Sequence, residues 1–153
     1  MNRVAMLLAT AGYVGFVPIA PGTAGSAAGL LLYAVIRSAH NPTAEIAAIA
    51  ATLVIGIWAA GVVELRLGKD PAPVVIDEVL GMLITLALVN AGIVGALAGF
   101  LLFRLFDVWK PFPAGRLEHL HGGSGIMLDD AVAGIYANLV LRLLIFAAPG
   151  IFA

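Results

Sequence analysis

The chain consists of long uncharged, mostly apolar runs separated by short polar segments. No formally charged residue occurs in Val4–Ile36, Ile46–Val63 or Val79–Phe103. A helix needs about 20 apolar residues to cross about 30 Å of hydrocarbon, and Ile46–Val63 is the clearest predicted span. Val79–Phe103 contains Asn90–Gly92 in its middle. It therefore predicts either one tilted span or two short helices that form a hairpin.

Proline and glycine divide the N-terminal run. Pro18, Pro21 and Gly22 interrupt it, and proline ends or kinks a helix. The first residues, Met1–Arg3, also resemble the start of a signal peptide, but no small-residue cleavage site is followed by a soluble polar domain. The N-terminal run therefore predicts two helices, Val4–Phe16 and Ser26–Ile36. The last apolar segment, Ala131–Phe146, predicts a further helix.

The composition indicates the fold class. Of the 153 residues, 62% are hydrophobic and 11% are charged, and the mean hydropathy is +1.08; a soluble domain carries about 25% charged residues. Only helices and closed barrels span lipid, and these runs are too long and too uniformly apolar for barrel strands. We expect an all-α integral membrane protein in the bilayer, with one compact domain over residues 1–153 and several transmembrane or re-entrant helices.

Charge and cysteine content exclude several functions. The net charge of −1 gives no basic face for nucleic acid. The sequence contains no cysteine, which rules out disulfides, thiolate metal sites and cysteine nucleophiles. The sequence carries no signal for an oligomeric state.

Most charged residues fall into three patches, Glu64–Glu78, Arg104–Glu118 and Asp129–Asp130, each at an end of an apolar run. If Ile46–Val63 spans the membrane and Val79–Phe103 is a hairpin, all three patches reach the same membrane face. Charges at helix ends are also expected simply because the connecting loops are exposed to water. Their accumulation on one side nevertheless predicts an active site at the membrane interface. That side is richer in Lys and Arg, so the positive-inside tendency places it in the cytoplasm.

Carboxylates dominate these patches. Asp77 and Glu78 open one predicted helix, where the macrodipole favours anions. Asp129 and Asp130 are predicted to begin another, although adjacent like charges repel unless a cation or hydrogen bonds hold them. Hard oxygen ligands suit Mg²⁺, Mn²⁺ or Ca²⁺. The predicted metal ligands are Asp77, Glu78, Asp107, Asp129 and Asp130, of which Glu78, Asp107 and Asp130 are also the candidates for direct catalysis.

Basic side chains and a loop rich in proline and glycine predict a phosphate site beside the acids. Arg104 and Lys110 flank Asp107 at intervals of three residues. This spacing favours either intrahelical ion pairs or a functional face that supplies positive charge to a phosphate. The segment PGTAGS, residues 21–26, offers backbone N–H groups and hydroxyls at a helix N-terminus. The predicted phosphate-binding residues are Gly22, Thr23, Ser26, Arg104 and Lys110.

Four motifs, in this order and close to this spacing, resemble those of the phosphatidylglycerophosphatase A family: PIAPGTAGS, VIDEVLGM, FRLFDVWKPFP and HGGSGIMLDDAVAG. The resemblance runs from about Phe16 to Gly134, and the last two motifs are the most specific. It implies an all-helical, Mg²⁺-dependent enzyme that dephosphorylates the phospholipid phosphatidylglycerophosphate to phosphatidylglycerol in the bacterial inner membrane. Asp70 lies where this family tends to be acidic and is a weaker site candidate.

The reaction implied by the resemblance is metal-assisted hydrolysis of a phosphomonoester. A divalent cation would sit between Asp129, Asp130 and the phosphate. Arg104 and Lys110 would stabilise charge on the transferred group. We favour attack by water, because the chain lacks the DxDx(T/V) signature of phosphatases that form an aspartyl-phosphate. Which carboxylate acts as the base stays open.

Three other functions compete with this one. A membrane phosphotransferase acting on nucleotide-linked alcohols would carry a longer DG-x2-AR-x8-G-x3-D-x3-D array, which the chain lacks. A transporter or ion pathway would place carboxylates near the middle of apolar runs, whereas here they lie at the ends. A scaffold protein would explain the small residues of AGIVGALAG, which allow close helix contact, but so would an enzyme. His119 and His121 fit either proton transfer or an ordinary loop.

Overall fold

The computed structural model describes residues 2–153, which form α-helices and one 3-10 turn and include no β-strand. The predicted all-α class is confirmed. The 3-10 turn covers Val14–Phe16. In chain order the helices are α1 Arg3–Ala9, α2 Pro21–Ser38, α3 Pro42–Leu67, α4 Ile76–Leu86, α5 Ile93–Trp109, α6 Ala114–Leu117, α7 Gly123–Ala147 and α8 Pro149–Phe152.

Two helices are long and apolar enough to cross a membrane. They are α3, with a segment of mean hydropathy 2.4, and α7, with a segment of mean hydropathy 1.6. The outer surface is also apolar: Leu31, Ile93, Leu143 and Phe146 are each between 66% and 88% exposed. Apolar surface of this extent marks contact with lipid or with another protein. The chain therefore has the architecture of a helical membrane protein.

The segment Val79–Phe103 forms a hairpin and not a single tilted span. Helix α4 ends at Leu86 and α5 begins at Ile93, so the chain turns back close to the interruption at Asn90–Gly92. The 11 residues of α4 extend only about 16 Å at about 1.5 Å per residue, which is about half of the hydrocarbon thickness. Helix α4 is therefore too short to span, and its start lies at the same end of the bundle as the end of α5.

Helix α4 lies at the centre of the bundle. Nine of its residues are buried, and it packs mainly against α7 and α2. Small residues permit the close approach: a Cβ added to Gly134 of α7 would meet the backbone of Gly81, and one added to Gly29 of α2 would meet Val79 and Met82. This packing brings the acidic start of α4 beside the acidic segment of α7.

The predicted start of α7 is wrong. The helix begins at Gly123, so Asp129 and Asp130 lie in its second turn and do not open it, and Ala131 lies further inside. The glycines before these aspartates lie at the start of the helix, where their small size serves helix packing. A Cβ on Gly123 would meet the backbone of Ile57 and Gly61 in α3, so glycine here allows α7 to approach α3 closely.

The two N-terminal boundaries also differ from the prediction. Helix α2 begins at Pro21 and not at Ser26, because the fixed φ of proline suits the first helical position. Helix α1 ends at Ala9 and does not continue to Phe16. Left-handed backbone at Ala11, Gly12 and Tyr13, with φ of 47°, 71° and 72°, breaks the helix before the 3-10 turn.

Polar side chains close the end of the bundle at which α4 terminates. Asn138 Nδ2 donates hydrogen bonds to three carbonyl oxygens at the end of α4, those of Ile84, Thr85 and Ala87. Arg142 donates to the Ala87 oxygen over 3.0 Å and to Asn138 Oδ1 over 2.7 Å. These bonds satisfy carbonyls that the end of a helix leaves without intrahelical partners. We call this end of the bundle the far end.

Candidate active site

The three charged patches meet in one cavity at the opposite end of the bundle, where α4 and α7 begin and α5 ends. The cavity has a volume of about 370 Å³. Ala20, Pro21 and Gly22 line one side of it, and the 70–74 segment lines another. The structure thus brings together all five predicted metal ligands and both predicted phosphate-binding cations: Asp77, Glu78, Asp107, Asp129, Asp130, Arg104 and Lys110.

Three of the five acids form a tight group. Oxygen atoms of Asp77, Glu78 and Asp130 all lie within 4.8 Å of one another. We call these three residues the acidic trio. The other two predicted ligands, Asp107 and Asp129, line the same cavity but are each paired with a basic side chain. The trio is therefore the best-placed set of hard oxygen ligands in the part of the chain that the structure describes.

Four buried carboxylate oxygens in residues 2–153 have no hydrogen-bond partner: Asp77 Oδ1, Glu78 Oε2, Asp129 Oδ1 and Asp130 Oδ2. Buried polar atoms are almost always satisfied in proteins, and an unpaired buried charge is strongly destabilising. A divalent cation would supply the missing partner for the trio. Several carboxylate oxygens and no sulfur or imidazole match the preference of Mg²⁺, Mn²⁺ or Ca²⁺.

Charge and burial act together on the start of α4. Burial raises the pKa of Asp77 well above its usual range, and the charges of Glu78 and Asp130 raise it further. Burial also raises the pKa of Glu78. Protonation is thus one way to relieve the repulsion within the trio, and a bound cation, which keeps the carboxylates ionised, is another.

The adjacent aspartates of α7 point to different partners. Successive residues of a helix are rotated by about 100° about its axis. Asp130 consequently faces the acids of α4, whereas Asp129 Oδ2 accepts a hydrogen bond from Lys110 Nζ over 2.7 Å. One acid joins the trio, and the other positions a cation at its edge.

Arg104 connects α5 with α2 and α4. Its Nη1 lies 2.6 Å from Asp107 Oδ2, one helical turn along, and 3.9 Å from Glu78 Oε1. The same nitrogen donates to Ser26 Oγ over 3.5 Å. The intrahelical ion pair that the spacing favoured is therefore present. Arg104 nevertheless lines the cavity, where its guanidinium is placed to bind an anion.

Lys110 does not continue the helix face of Arg104. Helix α5 ends at Trp109, and Lys110 adopts a left-handed conformation with φ of 47°, which turns its side chain toward α7 and Glu118, 3.4 Å away. Burial alone would lower the pKa of Lys110, but its hydrogen bond to Asp129 and the surrounding acids raise it above its ordinary value. Lys110 therefore stays a cation.

The predicted phosphate loop is only partly at the cavity. Gly22 lines it. Ser26 is buried, donates to the Gly22 carbonyl oxygen over 2.9 Å, and touches Arg104. Thr23 is exposed and does not line the cavity, so the structure does not bring its hydroxyl to the acids. Asp70, the weaker candidate, does line the cavity.

The two C-terminal histidines lie outside this cavity. His119 is exposed, and its Nδ1 lies 2.8 Å from the Gly115 carbonyl oxygen. His121 borders a different, mostly apolar pocket beside Trp58. Glu118 was not among the predicted site residues, but its Oε2 lies 3.4 Å from Lys110 Nζ at the edge of the site. The only sequence signal for Glu118 was its place in the second charged patch.

Comparison with known proteins identifies the family. Residues 7–145 match the family model described as Phosphatidylglycerophosphatase A. The chain belongs to the phosphatidylglycerophosphatase A family. This membership confirms the resemblance of the four motifs and gives no support to the transporter alternative.

Several relatives cover most of the chain. A Haemophilus influenzae protein named Phosphatidylglycerophosphatase A is 36% identical over 138 residues, which are 88% of this chain and 85% of the relative. The Escherichia coli K12 protein of the same name is 35% identical over 138 residues, 88% of this chain and 80% of the relative. A Bacteroides thetaiotaomicron protein named "Putative phosphatidylinositol-3-phosphatase" is 36% identical over 143 residues, 89% of this chain and 90% of the relative. No solved structure matches the chain.

Proposed function

We propose that the protein is a Mg²⁺-dependent lipid phosphatase that hydrolyses the terminal phosphomonoester of phosphatidylglycerophosphate to phosphatidylglycerol and inorganic phosphate. The observation that carries the proposal is the acidic trio, whose buried unpartnered oxygens face a cavity that also contains Arg104 and Lys110. Family membership and the names of the Haemophilus influenzae and Escherichia coli relatives support the substrate. Residues 1–153 would act as one membrane domain.

The acidic trio would hold the metal ion. When bound, Mg²⁺ supplies positive charge that polarises a phosphoryl oxygen and helps to orient water. Asp129 would keep Lys110 at the edge of the site through the 2.7 Å hydrogen bond between them. The five carboxylates would thus divide into three ligands, Asp129, which holds Lys110, and Asp107, which pairs with Arg104 and is the candidate base outside the trio.

Arg104 and Lys110 would bind the phosphate. A guanidinium can donate two parallel hydrogen bonds to phosphate oxygens, and Asp107 and Ser26 fix the orientation of Arg104. Gly22 leaves room beside this group, since a Cβ there would meet Glu78 Oε1 and the Arg104 guanidinium. The proposed phosphate-binding site is therefore formed by charged side chains and a glycine at the start of α2.

Attack by water on phosphorus forms one P–O bond and breaks the bond to the lipid oxygen. A carboxylate would accept one proton of the water and return it to the departing lipid oxygen, which leaves as the alcohol. Glu78, Asp107 and Asp130 are the candidate bases. Asp107 is the one outside the trio, and it lies beside Arg104, which would hold the phosphate. We assign proton acceptance to Asp107, while Glu78 and Asp130 act as ligands.

Phosphate release in detergent micelles tests the proposed function. The purified protein should release phosphate from phosphatidylglycerophosphate with Mg²⁺, lose that activity on chelation, and regain it when Mg²⁺ is returned. Phosphatidylinositol 3-phosphate is the comparison substrate, because the Bacteroides thetaiotaomicron relative carries that name. Preferential hydrolysis of the inositol lipid would overturn the assigned substrate. Metal-independent hydrolysis would overturn the role of the trio.

We further propose a multi-pass location in the bacterial inner membrane with the cavity facing the cytoplasm. More cationic side chains lie in the segments at the cavity end than at the far end, as the positive-inside tendency requires. The chain has no cysteine, so single cysteines report topology cleanly. Cysteines at the exposed positions Ala72 and His119 should react with an impermeant thiol reagent only after the membrane is opened, and one at exposed Ala39 should react in intact spheroplasts.

The two cavity-end cysteines must agree with each other. Ala72 precedes the α4–α5 hairpin and His119 follows it, so opposite labelling would contradict both the re-entrant hairpin and the shared cavity. Position 114 in α6 also follows the hairpin, but a cysteine there would not be labelled because Ala114 is fully buried. Agreement between Ala72 and His119, but with both reactive in intact spheroplasts, would reverse the orientation and leave the site intact.

A further inference from the structure

A second cavity lies between α2 and α5, further from the acidic trio. Its volume is about 440 Å³, and its walls include Leu30, Leu31 and Ala34 of α2 and Ala96 and Leu97 of α5. Helix α2 packs mainly against α4, and α5 packs mainly against α7. The facing rows of α2 and α5 are therefore left with a cleft between them, which we call the α2–α5 groove.

The groove lies further along the same two helices than the active-site cavity. Residues four apart are neighbours on a helix surface, and the series Gly22, Ser26, Leu30 and Ala34 leads along α2 while turning around it by about 40° per step. Gly22 lines the acidic cavity, and Leu30 and Ala34 line the groove. Between them Ser26 is in contact with Arg104 of α5. A molecule bound at Arg104 would therefore reach the groove by passing outside this contact, over the exposed side of α2 at Ala27.

We propose that the α2–α5 groove holds the distal part of one acyl chain of the lipid substrate, whose phosphate lies beside Arg104; this rests on the proposed function. Leu30 is eight residues from Gly22 and Ala34 is twelve, which correspond to about 12 Å and about 18 Å along the helix. One leaflet of hydrocarbon is about 15 Å deep. A full-length chain therefore reaches the groove, and a short chain ends before it.

The chemistry of the lining favours hydrocarbon as the occupant. The five wall residues named above are apolar, whereas the polar lining residues Arg37, Ser38 and His40 lie together at and just beyond the end of α2. Arg37, at the far end of the groove, is already engaged by Glu45 at 3.4 Å and by Asn90 at 3.1 Å. This end of the groove is therefore polar, and the existing partners of Arg37 make it a poor site for a second anionic head group. An apolar chain entering from the cavity end matches the apolar part of the lining.

Filling the groove tests the assignment. Ala34 is exposed and Ala96 is half-buried, so Ala34→Phe and Ala96→Phe place a ring in the groove; Ala51→Phe, at an exposed position of α3, is the matched control. The substrates are dihexanoyl and dipalmitoyl phosphatidylglycerophosphate in the same detergent. We expect kcat/KM for the dipalmitoyl lipid to fall about tenfold in the groove variants, as a few methylenes displaced from an apolar pocket would cause. The dihexanoyl value should stay within about twofold in all three variants.

The other possible results of these measurements decide whether the groove assignment holds. Equal chain-length profiles in the groove variants and in Ala51→Phe would overturn the groove assignment alone. A changed oligomeric state in detergent with an unchanged profile would also overturn it, because the groove would then be a contact between two copies of the chain. If Ala34→Phe loses both substrates, Ala34→Leu decides: a loss confined to the long chain supports the proposal, and a uniform loss overturns it. Failure of the unaltered protein on both lipids would overturn the proposed function and, with it, the groove.

Discussion

Glu45, at the far end of the bundle, and Asp130, at the cavity end, are both acidic side chains with an exposed fraction of 3%. Glu45 is fully engaged: Oε1 accepts from Arg37 at 3.4 Å, and Oε2 accepts from the backbone N–H of Leu88 at 2.8 Å. Asp130 has a buried oxygen without a partner and lies against two further carboxylates. Equal burial therefore accompanies opposite electrostatic environments.

The polar groups at the two ends of the bundle have different roles. At the far end, polar groups satisfy one another and the carbonyls of α4, which fixes the turn of the hairpin. At the cavity end, the same hairpin presents carboxylates whose partners are incomplete. Unsatisfied buried charge lowers stability, and in a chain with 11% charged residues its presence fits the proposed role of the trio in holding a cation. Substitutions at the cavity end should consequently lower turnover, whereas substitutions at the far end should lower the free energy of unfolding.

The largest effect on turnover is expected from Asp130→Asn. Loss of a metal ligand or its support costs about a hundredfold or more in activity. The midpoint of thermal unfolding should not fall, because the substitution removes repulsion with Asp77 and Glu78. Phosphate release at saturating Mg²⁺ and thermal unfolding in detergent measure the two properties.

Glu45→Gln is the matched control for Asp130→Asn. It weakens the bond to Arg37 and should lower the free energy of unfolding by about 1–3 kcal/mol, with turnover per folded molecule within about twofold. Near wild-type turnover of Asp130→Asn at saturating Mg²⁺ would remove that residue from the site and erase the contrast between the two ends.

Arg104→Ala should reduce kcat/KM by about tenfold to a hundredfold, because a positioned cation for the phosphate is lost. Arg104→Lys should restore only part of the activity, since an ammonium cannot reproduce a bidentate contact. Arg142→Ala, which removes a partner of Asn138 and Ala87 at the far end, should leave kcat/KM within about twofold. Equal tolerance of alanine at both arginines would show that Arg104 merely pairs with Asp107.

Asn138→Ala should act on stability alone. Its amide donates to three carbonyls at distances of 2.9 to 3.1 Å, and a hydrogen bond between membrane helices contributes about 0.6–2 kcal/mol. We expect the free energy of unfolding to fall by about 1–2 kcal/mol and turnover per folded molecule to be retained. Ser38→Ala, at an exposed position of the far end, serves as the control. A selective loss of turnover in Asn138→Ala would link the far end to catalysis.

Much of this arrangement can be predicted from the sequence, because apolar length and helix-end charge are local signals. Ile46–Val63 lies within α3, the break at Asn90–Gly92 does separate two helices, and the charged patches do converge. The start of α7 could not be predicted in the same way. Two adjacent glycines are typical of a turn, and only the position of α3 shows that Gly123 is needed for close helix packing.

Contacts between residues that are distant in the chain could not be predicted from the sequence either. Glu45 stands alone before a predicted span, and nothing local indicates that it accepts from Leu88, 43 residues away. The different roles of Asp129 and Asp130 depend on the rotational position of α7, which follows only from its true start. The repelling pair predicted a cation between these two residues and the phosphate. In the structure, Asp130 belongs to the trio and Asp129 accepts a hydrogen bond from Lys110.

The smallest effects are expected at the start of α2, where Gly22 and Thr23 were predicted to act together. Gly22→Ala adds a Cβ that would meet Glu78 Oε1 and the Arg104 guanidinium. Because alanine is a better helix former than glycine, stability should not fall, while displacement of the two side chains should lower kcat/KM by somewhat less than about tenfold. Thr23→Ala changes an exposed side chain outside the cavity and should stay within about twofold. A larger loss in Thr23→Ala than in Gly22→Ala would mean that the hydroxyl, and not the space beside Arg104, is what the phosphate requires.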